Sequence, residues 1–98
     1  MKTKKINAIV GKQFTVKMTE IGTAGYTWVH TGLDVSVLQI ISKDRVFPDN
    51  NIGSAAILKY KFLPVKEGNQ SITFKLKRPW NDEIEKEIKL DIIIKKGE

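Results

Sequence analysis

Hydrophobic and polar residues alternate one by one in four stretches of the chain. These stretches are residues 14–18, 58–62, 71–77 and 84–95. A period of two places successive side chains on opposite faces of a β-strand, so that one face is buried and the other is solvated. The alternation therefore predicts four half-buried strands, of which the last is long and begins near Ile84. In that strand Ile93 interrupts the otherwise polar face.

Two further stretches predict strands with a less regular pattern. Tyr26, Trp28 and His30 share one side of an extended run, which places Trp28 in the core and His30 as a packing residue at the strand end. Within residues 35–41 the hydrophobic side changes after Val37, which is typical of a β-bulge. No stretch of the chain has a convincing helical period.

Glycine, proline and asparagine separate these runs at short intervals and mark the turns between strands. The turn signals lie at residues 11–12, 22–25, 31–32, 48–53, 66–69 and 78–82. Strands joined by short turns, without a helix between them, favour antiparallel pairing. We therefore expect an all-β fold, an antiparallel β-sandwich of about seven to nine strands, in which residues 1–98 form a single domain.

The composition excludes several kinds of chemistry. The 98 residues include no cysteine and one histidine, His30, which excludes disulfides, thiolate nucleophiles and metal sites built on cysteine. No group of histidine, aspartate and glutamate has the spacing of metal ligands, and no serine lies in a nucleophile elbow. We therefore expect no catalytic residue, no metal and no other cofactor.

The chain is basic, because 17 lysine and arginine residues against 11 acidic residues give a formal charge of +6. Many lysines occupy outward positions of the alternating strands, where they solvate a sheet and deter edge-to-edge pairing. The aromatic residues of these strands, Tyr60, Phe62 and Phe74, fall on the apolar side and not among the lysines, so we expect no nucleic-acid partner.

The chain ends and the longest apolar runs indicate where the protein is located. Residues 1–10 lack the apolar segment of a secretory signal, and no run approaches the roughly 20 residues that cross a bilayer. We expect a cytoplasmic protein that binds no membrane and is a monomer when free. Residues 1–4 and 96–98 are expected to be unpaired ends.

Three loops have compositions that suit close contact with a partner. Residues 20–28 include Gly22 and Gly25, whose backbones reach conformations closed to other residues. Residues 50–56 are small and flexible, which suits close approach of another molecule to their backbone and is equally typical of a mobile connection. Residues 78–80, Arg-Pro-Trp, place a tryptophan at a hairpin tip, where exposure is costly unless the side chain packs locally or against a partner. For the first loop the alternative is an ordinary glycine turn, which is the more common case, whereas for the third loop contact with a partner is favoured.

In their order along the chain these loops resemble those of the chagasin-type inhibitors of papain-like cysteine proteases. The first loop of that family usually reads Asn-Pro-Thr-Thr-Gly, followed by an aromatic residue, any residue and tryptophan. The matching run here, from Ile21 to Trp28, keeps Thr23 and the glycine, the aromatic residue and the tryptophan after it. The second loop usually reads Gly-x-Gly-Gly, of which Gly53 is the first glycine. The third loop, residues 78–80, matches fully.

The resemblance implies an immunoglobulin-like β-sandwich whose three loops form a wedge at one end and occupy the active-site cleft of the protease. The chain would then be a reversible, tight-binding inhibitor and not an enzyme. The loop around Thr23 would reach the catalytic cysteine, the Gly53 loop would lie along the unprimed side, and Trp80 would pack toward the primed side. Arg78 would support its own loop or contact the enzyme. The protease-binding residues that the resemblance implies are Gly22, Thr23, Ala24, Gly25, Gly53, Ser54, Ala55, Arg78 and Trp80.

The alternative hypothesis is an immunoglobulin-like adhesion or protein-interaction module without inhibitory activity. The two hypotheses differ in where they place Trp80. An inhibitor needs Trp80 at the same end of the sandwich as Thr23, whereas a structural module buries this side chain or places it elsewhere.

Overall fold

The computed structural model of the protein describes residues 2–20, 26–46 and 56–97. Within these ranges the chain forms strands, turns and no helix, so the predicted all-β class is confirmed. The strands are β1 (Lys2–Ile9), β2 (Phe14–Glu20), β3 (Thr27–Thr31), β4 (Leu38–Val46), β5 (Ala56–Pro64), β6 (Gly68–Lys77) and β7 (Ile84–Lys95). Accordingly, these ranges contain no helix that is long and apolar enough to cross a membrane.

The strands form two sheets that pack face to face as a sandwich. The four-stranded sheet has the order β1-β7-β6-β3, and the three-stranded sheet has the order β2-β5-β4. Tyr60 of β5 and Phe74 of β6 meet between the sheets, with their ring centroids 5.2 Å apart. Phe62 and Phe74 are fully buried, and burial of each such side chain stabilises the fold by about 1.5–3 kcal/mol.

One strand pair departs from the predicted antiparallel arrangement. β1 runs parallel to β7, from Lys2 opposite Ile88 to Ile9 opposite Lys95, whereas the other four pairs between described strands are antiparallel. The prediction that residues 1–4 form an unpaired end was therefore wrong from Lys2 onward. These lysines pair because the first strand lies beside the last one, which is a contact that no local turn signal indicates.

The irregularity predicted after Val37 has a different origin. Residues 35–37 form a turn, in which the backbone N–H groups of Val37 and Leu38 both donate to the Asp34 carbonyl oxygen, at 3.0 and 2.9 Å. The register of β4 against β5 shifts only later, between Ile40 and Ser42. The change in hydrophobic side is thus caused by the turn, and the bulge lies inside the strand.

The turn after β3 requires a glycine and is held by hydrogen bonds of Asp34. Gly32 has φ +92°, and a Cβ added there would lie 2.5 Å from the carbonyl oxygen of Ser71, so only glycine fits. The backbone N–H of Asp34 donates to Oε1 of Gln70 at 2.8 Å. Hydrogen bonds from the Ser36 hydroxyl and backbone N–H lower the pKa of the Asp34 carboxyl below its ordinary value. This turn lies at the end of the sandwich where β3 ends and β4 begins.

Candidate functional site

Strand ends of the three-stranded sheet meet at one end of the sandwich. Glu20 at the end of β2 is opposite Ala56 at the start of β5. β4 runs antiparallel to β5, and its last residue, Val46, is opposite Ile57. The strand ends that flank the first two predicted binding loops therefore lie next to one another.

The four-stranded sheet brings three more strand ends to the same place. β3 begins with Thr27 opposite Lys77 at the end of β6, and Lys77 is also opposite Ile84 at the start of β7. The indole Nε1 of Trp28 donates a hydrogen bond to the carbonyl oxygen of Thr19, at 3.1 Å. Because Thr19 is near the end of β2 and Trp28 near the start of β3, this bond joins the two sheets at this end.

Residues 78–83 connect β6 to β7 at this end and form what we call the Trp80 turn. The backbone N–H of Asn81 donates to the carbonyl oxygen of Arg78 at 3.1 Å, and the N–H of Glu83 donates to Oδ1 of Asn81 at 3.0 Å. These bonds fix the shape of a short turn that has Pro79 at its start. Trp80 projects from it with 71% of its surface exposed, the highest value among the large hydrophobic side chains of the described residues.

A contact between two distant residues holds the Trp80 turn against the start of β3. Nη2 of Arg78 donates to the hydroxyl oxygen of Tyr26 at 2.9 Å, and the guanidinium carbon lies 4.7 Å from the centre of the Tyr26 ring. This distance is within the range of a cation–π interaction. Tyr26 directly follows the segment 21–25, so the contact links the bases of the first and third predicted loops.

The charged groups of the turn contribute less to its shape. Lys77 Nζ lies 3.9 Å from Oδ1 of Asp82, and the Asp82 side chain is fully exposed. An exposed ion pair at this distance stabilises a protein by well under about 1 kcal/mol. The geometry of the turn therefore depends on its backbone hydrogen bonds and on the contact between Arg78 and Tyr26.

A protein-family model for the chagasin family peptidase inhibitors, I42, matches residues 7–94. The chain belongs to this family. The resemblance seen in the sequence is thereby confirmed, and so is the expectation that the protein is not an enzyme, since the chagasin family is a family of inhibitors. A search of curated protein sequences found no significant match.

Three solved structures share the fold of this chain. A cysteine protease inhibitor from Entamoeba histolytica, EhICP2, has a TM-score of 0.81 and 15% identity, over 96% of this chain and 87% of that one. PbICP-C, solved in complex with falcipain-2, has a TM-score of 0.71 and 12% identity, over 98% and 88%. Amebosin, solved in solution, has a TM-score of 0.67 and 21% identity, over 93% and 88%. These likenesses show that the chagasin-family chain has the fold of these proteins.

The predicted binding residues divide between described and undescribed parts of the chain. Arg78 and Trp80 lie in the same turn, with Arg78 half-buried and Trp80 exposed. The other predicted residues lie outside the described residues; they are Gly22, Thr23, Ala24, Gly25, Gly53, Ser54 and Ala55. Of the two roles expected for Arg78, its contact with Tyr26 corresponds to support of its own loop.

Sequence reasoning missed Tyr26 as a residue of this site. Tyr26 and Arg78 are 52 positions apart, and neither residue alone indicates the other. The pairing of β3 with β6 brings the two residues together, because Thr27 is opposite Lys77 and Tyr26 and Arg78 are the next residues on the two segments. The local sequence pattern does not show which strands are neighbours, so it could not indicate this contact.

The described residues include no candidate metal-binding group. No group of three or more histidine, cysteine, aspartate or glutamate residues within them is placed to hold a metal ion. His30 is exposed and packs against the Phe74 ring with 5.6 Å between ring centroids. This matches the expected packing role at the end of β3.

Proposed function

We propose that this chagasin-family protein is a reversible, tight-binding inhibitor of papain-like cysteine proteases, and that it fills the active-site cleft without any catalytic step of its own. The Trp80 turn and the segments around Thr23 and Gly53 form the binding edge. Family membership supports this target class. So do two proteins of the same fold, one described as a cysteine protease inhibitor and the other solved in complex with falcipain-2.

The observation that carries the proposal is the exposure of Trp80 on a turn that is held in place. A tryptophan side chain presents a large apolar surface, and its exposure to water is unfavourable unless a partner covers it. Tryptophan is also among the residues that dominate binding energy when they fill a pocket at an interface. Trp80 therefore serves as an anchor that enters a pocket of the protease cleft.

The hydrogen bonds of the turn explain how such an anchor binds tightly. Ordering a flexible loop at an interface reduces affinity, so a loop that already has its bound shape binds better. The Asn81 and Glu83 backbone bonds and the contact of Arg78 with Tyr26 preorganise the turn. We propose that the turn keeps its shape on binding, and that the strands behind it resist distortion into a substrate-like path.

Titration of active-site-quantified papain with the purified protein tests this function. We expect activity to fall in proportion to added protein and to reach its minimum near one equivalent, while trypsin and thermolysin keep full activity. Activity should return on large dilution, because the inhibition is reversible. Full papain activity in a large molar excess of the protein would contradict the proposal.

The fate of the inhibitor provides a second test. After long incubation with papain, mass spectrometry should recover the chain uncut between β2 and β3 and within the Trp80 turn. Trimming at the two chain ends is disregarded, since chain ends are commonly cleaved. Cleavage within residues 21–25 would indicate that the protein binds as a substrate.

A further inference from the structure

The outer face of the three-stranded sheet carries a compact group of cations away from the Trp80 turn. In the strand register, Lys59 of β5 lies between Lys17 of β2 and Asp44 of β4, and Lys61 lies between Thr15 and Ser42. These residues line a shallow cavity of about 310 Å³. We call the six residues that line this cavity the lysine patch; they are Thr15, Lys17, Ser42, Asp44, Lys59 and Lys61.

The three lysines of the patch outnumber its single carboxylate, that of Asp44. Lys17 is directly opposite Lys59, and like charges in that position repel one another. Asp44 is opposite Lys59 on its other side, yet none of the three lysines is in an ion pair with a described carboxylate. The patch therefore presents a concentrated positive charge to solvent.

On the outer face of the four-stranded sheet the lysines lie beside acidic residues. There Lys75 is opposite Glu87, and Lys5 is opposite Asp91. Lys89 Nζ lies 3.9 Å from Oδ1 of the same Asp91. Each of these lysines has an acidic residue beside it, which is the arrangement expected when lysines only solvate a sheet. The lysine patch differs because Lys17 lies opposite Lys59, and of its three lysines only Lys59 has an acidic residue opposite it.

We propose that the lysine patch is a binding site for a small multivalent oxyanion of the polyphosphate or sulfated-sugar type. Facing strands place Lys17 and Lys59 within about 5.5 Å of each other at Cβ, and Lys61 projects from the same face two residues further along. Three ammonium groups at this spacing suit a ligand with several charged oxygens close together. The hydroxyl groups of Thr15 and Ser42 supply additional donors at the rim.

The make-up of the patch distinguishes this ligand from other anions. None of its six residues is aromatic, so it offers no surface for stacking nucleic-acid bases. It also contains no large apolar side chain that would insert into a lipid surface. Since the patch lies on the side of the sandwich and the Trp80 turn lies at its end, anion binding and protease inhibition are expected to be independent.

Calorimetric titration with inorganic tripolyphosphate and with a heparin-derived tetrasaccharide tests the proposal, and the two probes distinguish a phosphate source from a sulfated-sugar source. We expect at least one probe to bind at a ratio of one per chain in about 0.1 M salt, where the Debye length is about 10 Å. The variant K17Q/K59Q/K61Q should weaken that binding about tenfold or more, because charge-assisted contacts are lost. D44N should strengthen binding, since it removes the carboxylate from the patch.

The matched control is K5Q/K75Q/K89Q, which removes the same number of positive charges from the opposite face. This control should change the affinity by no more than about twofold, because those lysines lie on the other side of the sandwich, and charges farther apart than about 10 Å are largely screened in about 0.1 M salt. Equal weakening by both triple variants would show attraction to net charge alone and would overturn the proposal. Lack of binding by either probe would also overturn it. Melting curves of the variants confirm that each one is folded.

Discussion

The two tryptophans of this protein show how a small β-sandwich separates stability from recognition. Trp28 is 4% exposed and Trp80 is 71% exposed, although both lie near the same end of the molecule. Trp28 lies in a strand and fills the space between the sheets, with its indole N–H bonded to β2. Trp80 lies in a turn that is held by Arg78 and Tyr26. The core around Trp28 thus supports the end of the sandwich from which Trp80 projects.

The largest effect expected from this comparison is on the folding of a Trp28 variant. We expect Trp28→Ala to lower the free energy of unfolding by about 3–5 kcal/mol, because it opens a cavity and leaves the Thr19 carbonyl without its donor. Urea denaturation followed by circular dichroism measures this loss. Trp28→Phe is the control, since it keeps much of the apolar volume and should cost less. Unchanged stability of Trp28→Ala would mean that the core does not depend on this residue.

The sequence predicts the strands that follow from local patterns, but not the strand pairings between distant parts of the chain. β2, β5, β6 and β7 follow from local alternation, because each buries one face against the opposite sheet. The sequence did not predict β1, because four of the first five residues of this strand are polar and do not alternate with apolar ones; they are Lys2, Thr3, Lys4 and Lys5. Its pairing partner is β7, at the other end of the chain, and no local pattern reports that contact.

The candidate site was predictable to a similar extent. The Arg-Pro-Trp motif and the turn around it indicate an exposed tryptophan, and the structure shows one. The motif alone does not specify that Arg78 turns inward to Tyr26, because that contact depends on the alignment of β3 with β6. Local chemistry therefore identifies the anchor, and the tertiary pairing identifies the residue that supports it.

Substitution of Gly32, at the end of the sandwich opposite the Trp80 turn, should change stability and leave protease binding unchanged. We expect Gly32→Ala to lower the free energy of unfolding by about 1–3 kcal/mol, because its φ of +92° is unfavourable and its Cβ would collide with the Ser71 carbonyl oxygen. Gly11→Ala is the matched control, with φ +84° and no atom within 4 Å of its Cβ. Gly32→Ala should be the less stable of the two by thermal melting. Equal losses of stability in the two variants would indicate that the structure relieves the collision between the new Cβ and the Ser71 carbonyl oxygen.

The contact between Tyr26 and Arg78 tests whether the support of the Trp80 turn matters for binding. Tyr26→Phe removes the hydroxyl acceptor and keeps the ring beneath the guanidinium group. We expect it to weaken papain inhibition by about 1 kcal/mol with little change in melting temperature. Tyr26→Ala should weaken inhibition further, because the cation–π interaction is lost as well. Inhibition constants that are unchanged in both variants would show that the turn holds its shape without Tyr26.

The smallest effect concerns acid stability and the turn after β3. Hydrogen bonds from Ser36 lower the pKa of Asp34 in the folded protein, whereas the unfolded value is about 3.9. The resulting stabilisation is present above that value and is lost as the pH falls through the lower folded pKa. Melting temperatures measured between about pH 5 and pH 2 should therefore decline more steeply for the parent protein than for Asp34→Asn. Identical slopes would contradict the assignment.

The most direct test of the separation between stability and recognition is Trp80→Ala, measured for melting temperature and for inhibition of papain in the same preparation. The protein should melt within a few degrees of the parent, because Trp80 is 71% exposed and fills no space in the core. Its inhibition constant should correspond to a loss of about 2 kcal/mol or more of binding free energy. Early melting of Trp80→Ala, or full inhibition by it, would contradict the role of Trp80 as the anchor of the binding edge.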